Sequence, residues 1–310
     1  MEETLKDLLT IQGVSGSEEK VLEYIKNKIL NKNLEIEEDK MGNLIVKKGN
    51  GPEKIMISAN MDTIGFITTF IDNKGYIRVS NIGEFNIEDA INKIVCFKDR
   101  EAIARTNHGK GVEDIFIDFG FDNYDDAYEF IKEGDKISFK NYIIEDENLI
   151  TSNYLNNRIG CYVLLNLIEE MESKDRTIYF VFSTQDVLGG RGARAAAYKI
   201  EPEYSLVLDV EKICDCPEGN ESLGLGKGPV LRIMDKNLII HHEMKEMFEK
   251  ASSKTGVKLQ YNISKEGSAG GNIHRERNGI KTGVISLPLR YGEMANKKDI
   301  QNIIKIVKEF

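Results

Sequence analysis

Hydrophobic positions along this chain follow two alternating textures. Near the start, Val21, Leu22, Ile25, Ile29 and Leu30 recur at helical spacing and predict a helix over 15–31. Ser15 and Glu18 stand at the spacing of a capping box. The runs 34–38 and 44–48 on either side of a turn at 40–42 predict a hairpin. The apolar run 54–59 reads as a strand, and Asn60 and Asp62 follow it directly. Beyond it the runs shorten. Segments 64–71, 76–79, 93–97, 101–105 and 136–139 alternate with Gly, Asn and Asp turns around one helix at 124–133, the pattern of a small β-rich module such as a barrel. After residue 151 an α/β rhythm returns: helix 158–171, strand 177–183, helix 191–198, strand 204–208 ending in Asp209, strand 229–233, helix 241–255, strands 258–263 and 282–287, and a closing helix 298–309. Strands alternating with helices predict a sheet covered on both faces. The expected organisation is an α/β domain built from 1–66 and 151–310, with 67–150 inserted as a β-rich domain.

Composition narrows the function classes. The chain has 310 residues, 41% hydrophobic and 30% charged, enough to bury a sizeable core. Its formal net charge of −9 comes without a basic stripe, which argues against a nucleic-acid partner. The N-terminal segment is acidic and lacks an apolar signal core, and no run approaches membrane-spanning length, so no membrane partner is expected and the cytoplasm is the expected compartment. Cys96, Cys161, Cys214 and Cys216 are too few and too scattered for a disulfide scaffold. The Cys214-x-Cys216 pair is tighter than the usual zinc knuckle and reads as structural.

Candidate chemistry gathers at strand ends, where open α/β sheets place their sites. Asn60, Asp62, Asn156, Asp186, Asp209 and Glu293 all lie at the ends of apolar runs or just before a helix. Singly, such residues cap and turn the chain; together they favour a site. None is a histidine, although a hydrolytic zinc site ordinarily draws on imidazole. The chain has four: His108, His241, His242 and His274. Other motifs are weaker. Gly224-Leu-Gly226-Lys-Gly228-Pro229 precedes a strand rather than a helix, so it is neither a dinucleotide fingerprint nor a phosphate loop. Gly13-Val14-Ser15-Gly16-Ser17 lacks the spacing of a nucleophile elbow. The turns at 189–193 and 267–271 could bring backbone close to a site or merely allow tight packing. His241-His242 opens a helix and reads as solvated.

Taken in order, these segments resemble the M42 family of metallo-aminopeptidases, known also as glutamyl aminopeptidase or cellulase M. The likeness spans nearly the whole chain. It rests on Leu8-Leu9 with Gly13-Val14-Ser15-Gly16-Ser17-Glu18, on Asp39-x-x-Gly42-Asn43, on Gly190-Arg191-Gly192-Ala193, on Gly226-Lys227-Gly228-Pro229 with Asp235, and on Arg290-Tyr291. The resemblance implies a zinc-peptidase-like three-layer α/β/α domain with an inserted small β-barrel or PDZ-like domain. It also implies self-association, typically as dodecamers, and a reaction run by two divalent metals, zinc or cobalt, that share a bridging carboxylate.

Carried over residue by residue, the resemblance places Asn60 where the family has its first histidine ligand and Asn156 where it has the bridging aspartate. Asp186-Val187 falls on the consecutive glutamates, which makes Asp186 the remnant general base. Glu293 falls on the last histidine. Asp209 is the unchanged ligand, and Asp62 the residue that would orient the lost imidazole. Gly267, Ser268, Ala269 and Gly270 fall on the substrate-pocket loop, without its aspartate. The oxygen donors left, Asp209 and Glu293 with Asp186 nearby, would hold at most one divalent cation weakly. The expectation is therefore an aminopeptidase-like protein, catalytically impaired, that binds peptides or amino acids, or assembles with itself or an active paralogue. Two alternatives stay open: an exopeptidase with a rearranged site drawing on Asp186, Asp209, Glu293 and His274, and a glycoside hydrolase using Asp186 and Glu293.

Overall fold

A computed structural model describes residues 3–30, 34–106, 111, 114–215 and 222–310; His108 and Cys216 lie outside the described residues. Four parallel strands form its spine. Arg176–Ser183, Glu53–Asn60, Tyr204–Ile213 and Lys281–Arg290 lie side by side in that order. The predicted hairpin, Glu35–Glu38 with Leu44–Lys48, extends one side antiparallel. Met294–Asn296, Leu149–Thr151 and Ile144–Glu145 extend the other. Val230–Met234 branches from Lys281–Arg290 and carries Gln260–Ile263 as its outer neighbour.

The pleat sends successive side chains to opposite faces, and two cores follow. Ile55, Ile57, Phe180, Phe182, Leu206, Leu208, Ile285 and Leu287 pack on one face, under the helices Glu3–Thr10, Glu19–Ile29, Leu155–Glu170, His242–Thr255 and Lys297–Val307. Met56, Val181, Val207 and Val284 pack on the other, under Arg191–Ile200 and Gly270–Ile273. The three-layer arrangement expected from the alternation is the one observed.

Gly65–Ile71, Ile77–Ile82, Ile115–Asp118, Arg100–Thr106, Ile94–Phe97 and Lys136–Phe139 close into a barrel. It has its own core of Phe66, Ile77, Val95, Ile117 and Ile137. The strand Ile115–Asp118 is missing from the sequence reading. It is four residues long between Asp114 and Phe119-Gly120, too short to show alternation, yet it bridges Ile77–Ile82 to Arg100–Thr106 and so completes the ring.

Two local expectations are corrected. The first long helix begins at Glu19, not Ser15. Gly16 takes a positive φ of 81°, which breaks the helical path. The buried Ser15 hydroxyl has no hydrogen-bond partner among the described residues, and the Glu18 carboxylate instead accepts a 2.9 Å bond from the Gln185 amide. Second, the strand expected to stop at Asp209 runs on to Ile213, paired residue for residue with Lys281–Arg290. Asp209 is thus a mid-strand residue.

Candidate active site

The register Asn60↔Ser183 between parallel strands delivers Asn60–Asp62 and Thr184–Val187 side by side at the carboxyl edge of the sheet. Met61 donates its amide to Ser183 across that edge at 2.7 Å. Asp62 is fully buried. One of its oxygens accepts from Asn60 Nδ2 at 2.9 Å and the other from the Val187 amide at 3.1 Å. Val187 therefore enters the site through its backbone.

The Asn60 oxygen is also taken, by Asn157 Nδ2 at 3.1 Å. The same Asn157 nitrogen reaches the Leu208 carbonyl at 2.7 Å, and its oxygen accepts from Gly160 at 3.0 Å. Asn157, rather than Asn156, is the amide that ties the end of Glu53–Asn60 and the middle of Tyr204–Ile213 to a helix. It was overlooked in the sequence, where the only signal was two consecutive asparagines. The backbone departs from helical angles at both. Gly160 makes room: a Cβ there would stand 2.6 Å from the Asn157 oxygen and 2.8 Å from the Ala59 methyl. The buried Cys161 thiol donates to the Asn60 carbonyl at 3.2 Å, and burial pushes its pKa up to about 12.

Asp209 pairs with a residue the sequence reading passed over. Arg232, on the neighbouring Val230–Met234 strand and only 4% exposed, donates from Nη1 to Asp209 at 2.9 Å, from Nε to Glu211 at 2.6 Å and from Nη2 to the Val210 carbonyl at 2.6 Å. Ser264 completes Glu211 at 3.0 Å. Burial opposes the charge on Arg232, but Asp209 and Glu211 outweigh it and hold the guanidinium protonated. An arginine amid the apolar run Pro229–Ile233 was the available signal, because a charge in a buried strand demands a partner.

Asp186 is half-buried, and its Oδ1 is shut off from solvent with no hydrogen-bond partner among the described residues. Burial raises its pKa well above the carboxylate range, and the charges of Asp62 and Asp209 add to this while Arg232 opposes it. A raised carboxyl pKa favours the folded state below the ordinary value of about 4 and loses that contribution as pH climbs through the folded value. The Asp186→Asn variant should therefore gain stability over the parent as pH rises toward neutrality. Urea midpoints for both proteins across pH 4–8 measure the difference, and parallel curves would remove the premise.

The remaining candidates have local partners. Glu293, in the turn after Arg290, accepts from the Tyr142 hydroxyl at 2.5 Å. In the loop 267–270 Ser268 donates to Asp235 at 2.6 Å, while Asp235 receives the amides of Asn237 and Leu238, each at 2.8 Å. Gly189 and Gly190 both have positive φ, and the Gly189 carbonyl accepts from Asn272 at 2.7 Å. Gly226 and Gly228 donate their amides to Asp299 at 2.6 and 2.9 Å: this segment is anchored to the last helix, in keeping with its exclusion as a phosphate loop. His241 caps its helix through the Glu243 amide at 3.3 Å, and His274 Nδ1 lies 3.0 Å from the Gly270 carbonyl one turn back.

The chain and its fold have counterparts among known proteins. The sequence profile of the M42 glutamyl aminopeptidase family matches residues 42–306. The chain belongs to the M42 family. It is 35% identical to a putative aminopeptidase of Acetivibrio thermocellus over all of this chain and 98% of the relative. Among solved structures, a TET aminopeptidase from a marine-sediment thaumarchaeon superposes with a TM-score of 0.93 at 27% identity, covering 99% of this chain and 94% of that one. The TET1 peptidase of Pyrococcus horikoshii, described as able to assemble into a tetrahedron or a large octahedral shell, gives 0.90 at 25% identity over 99% and 98% of the two chains.

M42 peptidases depend on divalent metals, and several of the matching groups here are engaged within the protein. Both ends of the Asn60 amide are engaged, Val187 has no lone pair to give, and the Asp209 carboxylate faces a guanidinium. Among the described residues no three His, Cys, Asp or Glu side chains gather as a metal-holding group. Zinc favours nitrogen and sulfur donors, and the side chains on hand are amides, an arginine and carboxylates.

Proposed function

We propose that this M42-family chain does not carry out two-metal peptide hydrolysis and acts instead through binding and assembly. The observation that carries the reading is the Asn60 amide, bonded at once to Asp62 and Asn157. At the position the resemblance gives to an imidazole ligand, it serves a protein-internal network. Asn156 for the bridging carboxylate and Val187 for a ligand point the same way, because a neutral amide between two cations forfeits the charge that would hold them. Burial, with the charges of Asp62 and Asp209, raises the pKa of Asp186, the remnant base.

The rearranged-site alternative needs Asp209, Glu293 and His274 to turn toward one ion. Two of the three are engaged elsewhere, Asp209 with Arg232 and Glu293 with Tyr142. In our reading the assembly is a homo-oligomer of the sort described for Pyrococcus horikoshii TET1, or a mixed one with an active relative, and the ligand is a peptide or amino acid. The chain divides at 1–66 with 151–310 and at 67–150, and works in the cytoplasm. Among the described residues no helix is long and apolar enough to cross a membrane.

The test is metal content together with activity. Protein purified with added zinc or cobalt should hold well under one equivalent per chain after desalting, and amino-acid p-nitroanilides should show no hydrolysis that a chelator abolishes. Two equivalents of metal, or chelator-sensitive turnover, would overturn the reading.

A further inference from the structure

Glu293 makes two contacts that lead to the two flanks of one hairpin: its carbonyl extends the ladder between Leu149–Thr151 and Met294–Asn296 by one rung, and its side chain reaches beyond that ladder. The chain leaves the barrel at Phe139 and returns to the main sheet through Ile144–Glu145 and Leu149–Thr151, which pair with each other. Tyr142 lies just before this hairpin and Ser152 just after it. The Glu293 carboxylate accepts from the Tyr142 hydroxyl at 2.5 Å, and the Glu293 carbonyl accepts from the Ser152 amide at 2.8 Å. One residue thus holds both ends of the segment by which the barrel is joined to the sheet.

The turn carrying Glu293 is built to present it. Tyr291 and Gly292 have positive φ of 57° and 76°, and the Glu293 amide closes on the Arg290 carbonyl at 3.1 Å. The segment it holds is stitched further. Asn153 accepts from the Tyr142 amide at 3.3 Å and donates to the Lys140 carbonyl at 3.0 Å. The Tyr154 hydroxyl reaches the Phe139 carbonyl at 2.6 Å, and Asn141 reaches the Leu9 carbonyl at 3.0 Å. Tyr142 and Glu293 are both half-buried, so their charge-assisted bond is partly sheltered from competing water.

We propose that Glu293 is a clasp: its side chain and its carbonyl together latch the barrel's return segment onto the sheet. The proposal rests on the reading of this site as one without a metal pair.

Native-state hydrogen exchange by mass spectrometry of the full-length chain tests it. Tyr142→Phe removes one hydroxyl and keeps the ring. It should speed exchange across 140–154 and 290–296 on the order of ten-fold, the scale of one lost hydrogen bond to a charged group, and leave the core strand Arg176–Ser183 unchanged. Glu293→Gln keeps an acceptor oxygen and should lie between parent and Tyr142→Phe; Glu293→Ala should match or exceed Tyr142→Phe. Unchanged exchange at 140–154 in Tyr142→Phe would overturn the clasp, and so would acceleration spread evenly over the molecule. Zinc content, measured on the same samples, is a separate reading: metal bound by the parent would strike at the proposed function, whereas a null exchange result without metal would strike at the clasp alone.

Discussion

Replacing Arg232 with methionine should cost the fold on the order of 3–5 kcal/mol, the loss expected when one partner of a buried ion pair is removed. The reason lies in what stays behind. Glu211 is 8% exposed and Asp209 20% at the side chain, so both are held away from the water that would otherwise solvate them. Three donors from one guanidinium satisfy two carboxylates and the Val210 carbonyl, and methionine supplies none. A lysine should recover part of the loss, because its single ammonium can approach one carboxylate but cannot match the fork. Urea unfolding at neutral pH measures both. A midpoint for Arg232→Met within error of the parent would show the network to be ornamental. The triple Arg232→Met, Asp209→Leu, Glu211→Leu should be much closer to the parent than Arg232→Met alone, since replacing a whole buried ionic group with apolar side chains is often neutral.

Gly192→Ala should be nearly as damaging, by a different mechanism. A Cβ at Gly192 would lie 2.3 Å from the Asn43 side-chain oxygen and 2.4 Å from the Thr184 carbonyl. Neither obstacle can yield. The Asn43 oxygen accepts from the Thr184 amide at 3.0 Å, and its nitrogen donates to the Gly192 carbonyl at 3.0 Å and to Asp39 at 2.7 Å. Gly192 itself donates to the Thr184 carbonyl at 3.1 Å. One asparagine thereby joins the hairpin turn, the end of Arg176–Ser183 and the start of Arg191–Ile200. Overpacking a tight site costs about 1–3 kcal/mol and sometimes more, and contact with the Thr184 backbone on one side and the hydrogen-bonded Asn43 amide on the other puts this variant at the upper end. A lowered thermal midpoint and poor soluble yield are the expected outcomes; a parent-like melting curve would refute the account. Asn43 and Gly192 belong to two of the sequence patterns that carry the family resemblance, and in this protein both serve the scaffold.

Most of the sheet was legible because its strands are buried on both faces and read as unbroken apolar runs, as in 177–183 and 204–208. What escaped notice depended on partners distant in sequence. Asp209 looked like a terminus because a charge follows Leu208; the strand continues because Arg232, from another strand, neutralises it. Ser15 looked like a cap because Glu18 stands three residues on, but Glu18 is drawn off to Gln185, far along the chain. The strand Ile115–Asp118 has meaning only as the piece that closes a ring. At the candidate site the residue types were legible one by one, whereas the bonding among them was not: nothing local to Asn157 says that it will meet Asn60 and Leu208.

Barrel closure also bears on how the protein stays apart from its neighbours in a crowded solution. A ring of strands offers no free row of amides and carbonyls to another chain. Such rows survive at the margins of the open sheet. Glu35–Glu38 borders one of them with three glutamates, a poor template for strand addition because like charges would face each other. Gln260–Ile263, which among the described residues likewise pairs on one side only, is apolar instead: Tyr261 and Ile263 are 50% and 63% exposed beside Ile239 at 72%. Wherever a partially opened form of this protein begins to stick to its own kind, that short margin is the place where the chemistry offers least resistance.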